Sequence, residues 1–447
     1  MNSSPLKNVD TLIHADWIVP IRPKNQLLKN HSIAINKQLI IDILPTELCK
    51  QRYQASNEHT LKQHLLMPGL INTHGHAAMT LLRGMADDYP LEEWLHKHIW
   101  PAEAKWVDEH FVYDGSELAI AEMVRSGTTC FSDMYFFPEA TAKAASAAGI
   151  RAQLSFPIFD FPSAWGKDAN DYISKGLKLR DDLGHHSHLT INFGPHAPYT
   201  VSDEPLKRIA TIAAELDCGI QIHCHETERE VAESLEQYGE RPLARLDKLG
   251  LLSPNTQLVH MTQINQQDIQ RLQNSGAHVI HCPSSNMKLA SGSCPVEQLL
   301  SNSINVALGT DSAASNNGLS LFKEMHMAAL LAKLSSSNAA ALGDWQALEL
   351  ATINGAKALG IDDKTGSLEP QKEADIIAID LSQIEQQPLY DPASQLVYTD
   401  CSNRVSHSWI AGELILKDRI PSRLNLEKIQ NNALHWRNKI HPGDKNT

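Results

Sequence analysis

Two histidines spaced i and i+2, His74 and His76, close the stretch Leu70-Ile71-Asn72-Thr73-His74-Gly75-His76. In extended backbone, residues i and i+2 face the same side. Both imidazoles therefore leave one strand end together and supply half of a first-row metal site. In a chain with 22 His the pair is weak on its own. Its weight depends on what the ends of other strands carry.

Such a site needs a frame that brings several strand ends to one place. From about residue 67 to 365 short apolar runs alternate with amphipathic stretches of helical period, the pattern of a parallel α/β architecture. Strands are expected at 69–74, 128–133, 151–156, 189–194, 219–223, 256–260, 278–281 and 304–309. Helices are expected over 116–126, 138–148, 204–215, 228–249 and 321–334. Eight strand–helix units predict an α/β fold of the (β/α)8 TIM-barrel class. On the N-terminal side, 11–14, 17–21, 32–35 and 39–44 read as short strands without a helix among them. On the C-terminal side, 374–380 and 405–416 resume that texture. The two β-rich ends predict one small β-sandwich domain, residues 1–66 with 366–447, beside a catalytic barrel of residues 67–365. The last stretch of about 25 residues reads as a helix followed by a polar, frayed tail.

Barrel enzymes carry their chemistry at the C-terminal ends of the strands. Those ends present His74 and His76, then His196, then His223 with His225 and Glu226, then His260, His281 and Asp311. Three imidazoles and a carboxylate, with a position left for water, suit Zn2+ and admit iron or manganese. The ligand set expected is His74, His76, His223 and Asp311. Such a metal makes hydroxide available at neutral pH. Asp311 can both touch the metal and accept the water's proton. His260 can orient that hydroxide or stabilise a developing oxyanion. Glu226, where a strand turns into its helix, can carry a proton to a ring nitrogen or leaving group. Plainer readings stand beside these. Glu226 also fits a helix N-terminal carboxylate, His225 a bystander as well as a ligand, and His281 a satisfied core residue as well as a support for a ligand. His185, His186 and His188 read as solvated loop residues.

Composition narrows the class. Hydrophobic content of 42% and charged content of 20% fit a globular enzyme. A net charge of −13 argues against nucleic acid as a partner. No apolar run reaches membrane-spanning length, so no membrane association is expected. The polar start Met1-Asn2-Ser3-Ser4-Pro5-Leu6-Lys7 lacks a secretory apolar region, and the 7 Cys are scattered without a CxxC. Both point to reduced thiols in the cytoplasm. The expected partners are a small-molecule substrate and further copies of the chain in a homo-oligomer. A silent barrel kept as a binding scaffold would need neither the ligand set nor Glu226.

The strings PGLINTHGH (68–76), MTLLRGMADD (79–88), EEWL (92–95), PAEAKW (101–106), FGPHAPYT (193–200), IHCHETERE (222–230), HCPSSNMKLASG (281–292) and GTDSAASNN (309–317) resemble the amidohydrolase superfamily. Within it, the chain resembles the 5'-methylthioadenosine/S-adenosylhomocysteine deaminases from about residue 10 to 420. Triazine chlorohydrolases, guanine deaminases and 8-oxoguanine deaminases share that barrel, and one of their reactions is the alternative. The resemblance implies a mononuclear zinc site on His74, His76, His223 and Asp311. It implies Glu226 as proton shuttle to the purine ring and His260 acting on the attacking water. It also implies Glu103 accepting from the ribose hydroxyls, His196 on the purine and Trp94 packed on the nucleoside. Members that take S-adenosylhomocysteine resemble one another in arginines after the third strand, suited to clamping a carboxylate. Here residues 154–167 hold no Arg, but Phe156, Phe159, Phe161 and Trp165, with Lys167 as the one cation. The expected reaction is hydrolysis of 5'-methylthioadenosine to 5'-methylthioinosine and ammonia, with adenosine and S-adenosylhomocysteine as poorer substrates.

Overall fold

The structure, a computed structural model, describes residues 6–441. Most of the polar N-terminal start and the polar tail after residue 441 lie outside the described residues.

Four strands open the chain: β1 (Lys7–Ile18), β2 (Leu28–Asn36), β3 (Leu39–Pro45) and β4 (Tyr53–Pro68). Eight short parallel strands follow: β5 (Leu70–Asn72), β6 (Thr128–Asp133), β7 (Arg151–Ile158), β8 (Leu189–Pro195), β9 (Ile220–Cys224), β10 (Thr256–His260), β11 (His278–His281) and β12 (Val306–Leu308). The chain then returns to the first sheet with β13 (Ile376–Asp380), β14 (Val405–Ile410), β15 (Glu413–Lys417) and β16 (Ile420–Pro421).

Strands β5 to β12 pair in sequence order, and the ring closes where Thr73 N–H and Oγ1 both reach Leu308 O, at 3.0 and 2.8 Å. This is the expected eight-stranded barrel. Its strands are buried on both faces, as parallel strands under helices must be. Helices such as Glu109–Arg125, Pro138–Ala148 and Asp203–Glu215 cover the outside. The expected helix over 228–249 is two, Glu228–Tyr238 and Pro242–Lys248. Gly239 ends the first in the left-handed region (φ 70°) and Pro242 starts the second.

The terminal strands make one mixed sheet in the order β16-β15-β14-β13-β4-β1-β2-β3. It folds over a shared core of Ile13, Ile33, Ile35, Leu66, Ile376 and Trp409. Its far edge returns to its other half: Ile40 N–H reaches Lys372 O at 2.9 Å and Ala374 N–H reaches Gln38 O at 2.7 Å. Four local expectations are corrected. Segment 11–14 and the start of 17–21 join as β1 across a bulge between Ala15 and Trp17, and the strand ends at Ile18. β4 is a long strand whose first half is polar and largely exposed, which hides its period. Thr46–Arg52 is a helix. The run 405–416 is a hairpin, turned at Ala411 and Gly412, both at positive φ.

Candidate metal centre

His74 and His76 lie just past β5, where Thr73 continues the ladder to β12. The carbonyl of His74 accepts the N–H groups of both Thr310 and Asp311 at 3.1 Å. The chain after β12 is thereby strapped across the first histidine. Gly309 permits it: a Cβ there would stand 2.8 Å from that of His74. Asp311 itself holds φ 58° and His260 φ 78°, backbone strain that only surrounding packing can maintain.

Ligand-capable atoms of His74, His76 and His223 lie within 4.8 Å of one another. The Nε2 atoms of His74 and His223 are 3.2 Å apart. Asp311 Oδ1 lies 3.6 Å from His74 Nε2 and 3.3 Å from His76 Nε2. Each imidazole has its other nitrogen tied to an oxygen. His74 Nδ1 meets Gln221 Oε1 at 2.8 Å, His76 Nδ1 meets Met134 O at 2.5 Å and His223 Nδ1 meets His196 O at 2.7 Å. These oxygens accept only, so the Nδ1 atoms carry the protons and three Nε2 lone pairs converge beside a carboxylate. Converging lone pairs call for a cation. Burial opposes charge on His76, yet Asp311 beside it lifts its pKa to about 9, so positive charge is favoured at its Nε2, as a proton or as a metal ion that takes the proton's place. His223 is held neutral by burial and by its neighbouring imidazoles. Three imidazole nitrogens and one carboxylate oxygen fit a divalent transition metal.

The other expected residues gather around this cluster. Glu226 Oε2 lies 3.8 Å from His260 Nε2, and Ser291 Oγ donates to Glu226 Oε1 at 3.4 Å. Burial, then the charge of Asp311, push the Glu226 carboxyl up to about 8. His260 Nδ1 meets Asn286 Oδ1 at 2.8 Å, which leaves Nε2 facing the cavity as an acceptor. That cavity, about 270 Å³, also takes in His196, Trp94 and Glu103. Glu103 accepts from Tyr135 Oη at 2.7 Å, and burial raises its carboxyl to about 7. Phe159 packs on His196 with ring centroids 4.9 Å apart and on Phe161 at 4.9 Å. No Lys or Arg lines the cavity among the described residues.

Several expected residues lie elsewhere. The imidazole of His225 accepts Leu243 N–H at 3.0 Å, holding the helix Pro242–Lys248, and is no ligand. His281 is buried and does not line the cavity. His185 and His186 are exposed. Of the aromatics in 154–167, only Phe159 and Phe161 line the cavity. Phe156 packs under Gly176, and Trp165 Nε1 donates to Glu139 at 3.1 Å. Lys167 is exposed and also outside the lining.

Sequence reasoning missed the groups that hold this site in place. Ser285 and Ser315 donate to Asp311 Oδ2 at 2.6 and 3.0 Å, and Ser312 N–H donates to its Oδ1 at 2.7 Å. Glu230 accepts the N–H groups of His225 and Glu226 at 2.8 and 2.7 Å. The available signals were strand parity for Gln221, two residues before His223, and a Thr-x-x-Glu start, Thr227 to Glu230, for the helix after β9.

Comparison with known proteins agrees with this geometry. Residues 65–415 match the amidohydrolase family. A 5-methylthioadenosine/S-adenosylhomocysteine deaminase of Teredinibacter turnerae is 54% identical over 97% of this chain and 98% of its own length. A 5'-deoxyadenosine deaminase of Methanosarcina mazei is 41% identical over 94% of this chain and 96% of its own. Among solved structures, an adenosine deaminase from Xanthomonas campestris with bound zinc superposes with a TM-score of 0.97 at 43% identity, covering 98% of this chain and 100% of that one. With the match running through the barrel and every strand end that carries the cluster, the chain belongs to the amidohydrolase family.

Proposed function

We propose that the protein is a zinc-dependent hydrolytic deaminase of adenine nucleosides whose preferred substrate is 5'-methylthioadenosine. The observation that carries this reading is the cavity. Its lining brings His76, His223 and Asp311 of the cluster, with Glu226 and His260, together with Glu103 and many apolar side chains, and with no Lys or Arg among the described residues. Deaminase relatives aligned over nearly the whole chain, one named for 5'-deoxyadenosine, support it.

In this reading His74, His76, His223 and Asp311 hold the metal. Bound zinc supplies the Lewis acidity that makes water nucleophilic at neutral pH. Asp311 takes a proton from the attacking water on its carboxylate. His260 orients that water through Nε2. Glu226, whose raised pKa keeps a proton on the carboxyl near neutrality, delivers it to the purine ring nitrogen as C6 is attacked. Asp311 passes its proton to the amino group, the C6 hydroxyl returns one to Glu226, and collapse of the tetrahedral carbon releases ammonia and leaves the 6-oxo product. Glu103 accepts from the two ribose hydroxyls, His196 contacts the purine and Trp94 packs on the nucleoside.

Phe159 and Phe161 suit a methylthio group, since sulfur packs well on ring edges. The homocysteine carboxylate would enter a lining without Lys or Arg, a costly desolvation. S-adenosylhomocysteine and adenosine are accordingly poorer substrates. Product analysis tests the reading. The purified enzyme should convert 5'-methylthioadenosine to 5'-methylthioinosine with one ammonia released, and Glu226→Gln should abolish this with zinc still bound. Chloride released from a chlorotriazine, with no ammonia from the nucleoside, would replace it with the alternative.

We also propose the division into a barrel of residues 67–365 and a composite domain of residues 1–66 and 366–447, and a cytoplasmic homo-oligomer as the working form. Among the described residues no helix is long and apolar enough to cross a membrane.

A further inference from the structure

The interior of a (β/α)8 barrel is ordinarily filled by layers of branched apolar side chains. Here one side of it carries three fully or nearly buried glutamines on neighbouring or facing strands: Gln153 on β7, Gln221 on β9 and Gln257 on β10. Their amides are linked in one direction. Gln221 Nε2 donates to Gln257 Oε1 at 2.6 Å, and Gln257 Nε2 donates to Gln153 Oε1 at 2.8 Å. Each amide nitrogen also meets a backbone carbonyl: Gln221 meets Thr73 O at 2.9 Å, Gln257 meets Ala358 O at 2.9 Å and Gln153 meets Leu359 O at 3.2 Å.

A backbone carbonyl can only accept, so each amide is held with its nitrogen toward that carbonyl and its oxygen away. Turning any one of the three would set oxygen against oxygen inside a dry core. The last oxygen in the chain, Gln221 Oε1, is the atom that faces His74 Nδ1 at 2.8 Å. His76 and His223 have their Nδ1 atoms fixed by backbone carbonyls directly. His74 alone relies on a side-chain amide, whose nitrogen is held away from it by Thr73 O, by Ser132 Oγ at 3.1 Å and by Gln257 Oε1.

We propose that Gln221, Gln257 and Gln153 are positioning residues that set the tautomer of His74. They would carry the acceptor character of the Ala358 and Leu359 carbonyls through the barrel interior to a metal ligand that neither Gln257 nor Gln153 touches. The inference rests on the metal reading above. It predicts that zinc affinity depends on side chains remote from the metal.

The test is zinc affinity of the full chain, measured by competition with a chromophoric chelator, for wild type, Gln221→Leu, Gln257→Leu and Ser155→Ala. Ser155 is buried on the same barrel wall, and its hydroxyl has no partner among the described residues, so it reports the effect of a neutral interior change. Gln221→Leu should weaken zinc by about 10-fold or more, as loss of a ligand's hydrogen-bond partner does. Gln257→Leu should show a smaller loss in the same direction, and Ser155→Ala none. In 15N-histidine spectra of the zinc-loaded protein, the hydrogen-bonded Nδ1–H of His74 should be present in wild type and displaced in Gln257→Leu. A merely structural role would lower thermal stability without moving affinity or that resonance. Zinc binding equal to wild type in both glutamine variants overturns the inference alone. A wild type that binds no zinc overturns the metal reading and the inference with it. Should Gln221→Leu fail to fold, Gln257→Leu decides.

Discussion

At the residue scale the site works by setting protonation states through burial. Two carboxylates in one cavity are both displaced upward, Glu226 to about 8 and Glu103 to about 7, each chiefly by desolvation. The displacement serves opposite ends. In the proposed mechanism Glu226 must hold a proton to give one, whereas Glu103 must be ionised to accept from two hydroxyls. Raising the pH through 7 charges Glu103 and strengthens binding; lowering it neutralises Glu103 and weakens binding. The Michaelis constant for 5'-methylthioadenosine should therefore climb as pH falls below about 7. In Glu103→Gln it should be higher by about 10-fold, the worth of a hydrogen bond to a charged group, and lose that pH dependence. Steady-state kinetics across pH on both proteins checks this. A pH-independent constant in the wild type would remove Glu103 from nucleoside binding.

At the scale of elements, the turn from β9 into the helix Glu228–Tyr238 aims Glu226, the proposed proton carrier. His225 takes positive φ, Thr227 caps the helix, and Glu230 gathers the His225 and Glu226 N–H groups. Glu230→Ala would strand two buried donors, each costing about 1–3 kcal/mol. Denaturant titration should show that loss, and kcat should fall while zinc stays bound. Unchanged kcat would mean that Glu226 is aimed by something else. The barrel and its strand ends were legible in the sequence because parallel strands buried on both faces read as apolar runs, and because ligands cluster where those runs stop. Strand β4 was not legible: its polar half pairs with β1 through backbone hydrogen bonds that leave no hydrophobic period. Ser285 and Ser315 were not legible for another reason. Each acts by donating to a neighbour in space, and a lone serine in a short helical turn carries no spacing that announces its partner. The aromatic segment after β7 was half legible, since composition cannot say which of Phe156, Phe159, Phe161 and Trp165 face inward.

At the scale of the whole molecule, the barrel is fastened to the sheet of both termini by a buried ion pair. Arg151 at the start of β7 donates to both oxygens of Asp375, at 2.7 and 3.0 Å, and also pairs with Glu373. Asp375 is fully enclosed and also accepts Ala411 N–H at 2.7 Å. Breaking such a pair leaves an uncompensated charge and costs about 3–5 kcal/mol. Arg151→Leu should lose about that much in equilibrium denaturation, with catalytic constants of the surviving folded protein near wild type because the pair lies at the strand start, far from the strand ends that carry the chemistry. A stability near wild type would mean that the two sheets are held by apolar packing alone.

The central claim is a deaminase whose cavity takes a neutral 5' substituent, and one comparison tests it most directly: kcat/KM of the zinc-loaded enzyme for 5'-methylthioadenosine against S-adenosylhomocysteine, followed by loss of adenine absorbance. In the proposed mechanism Glu103 and the metal cluster treat the shared nucleoside alike, so the ratio isolates what the aromatic-bearing lining without Lys or Arg does to the 5' substituent. The predicted result is a ratio of about 10 or more in favour of 5'-methylthioadenosine, the order of one unpaired polar group entering an apolar site. Equal turnover of the two thioethers, or turnover of neither, would contradict the account.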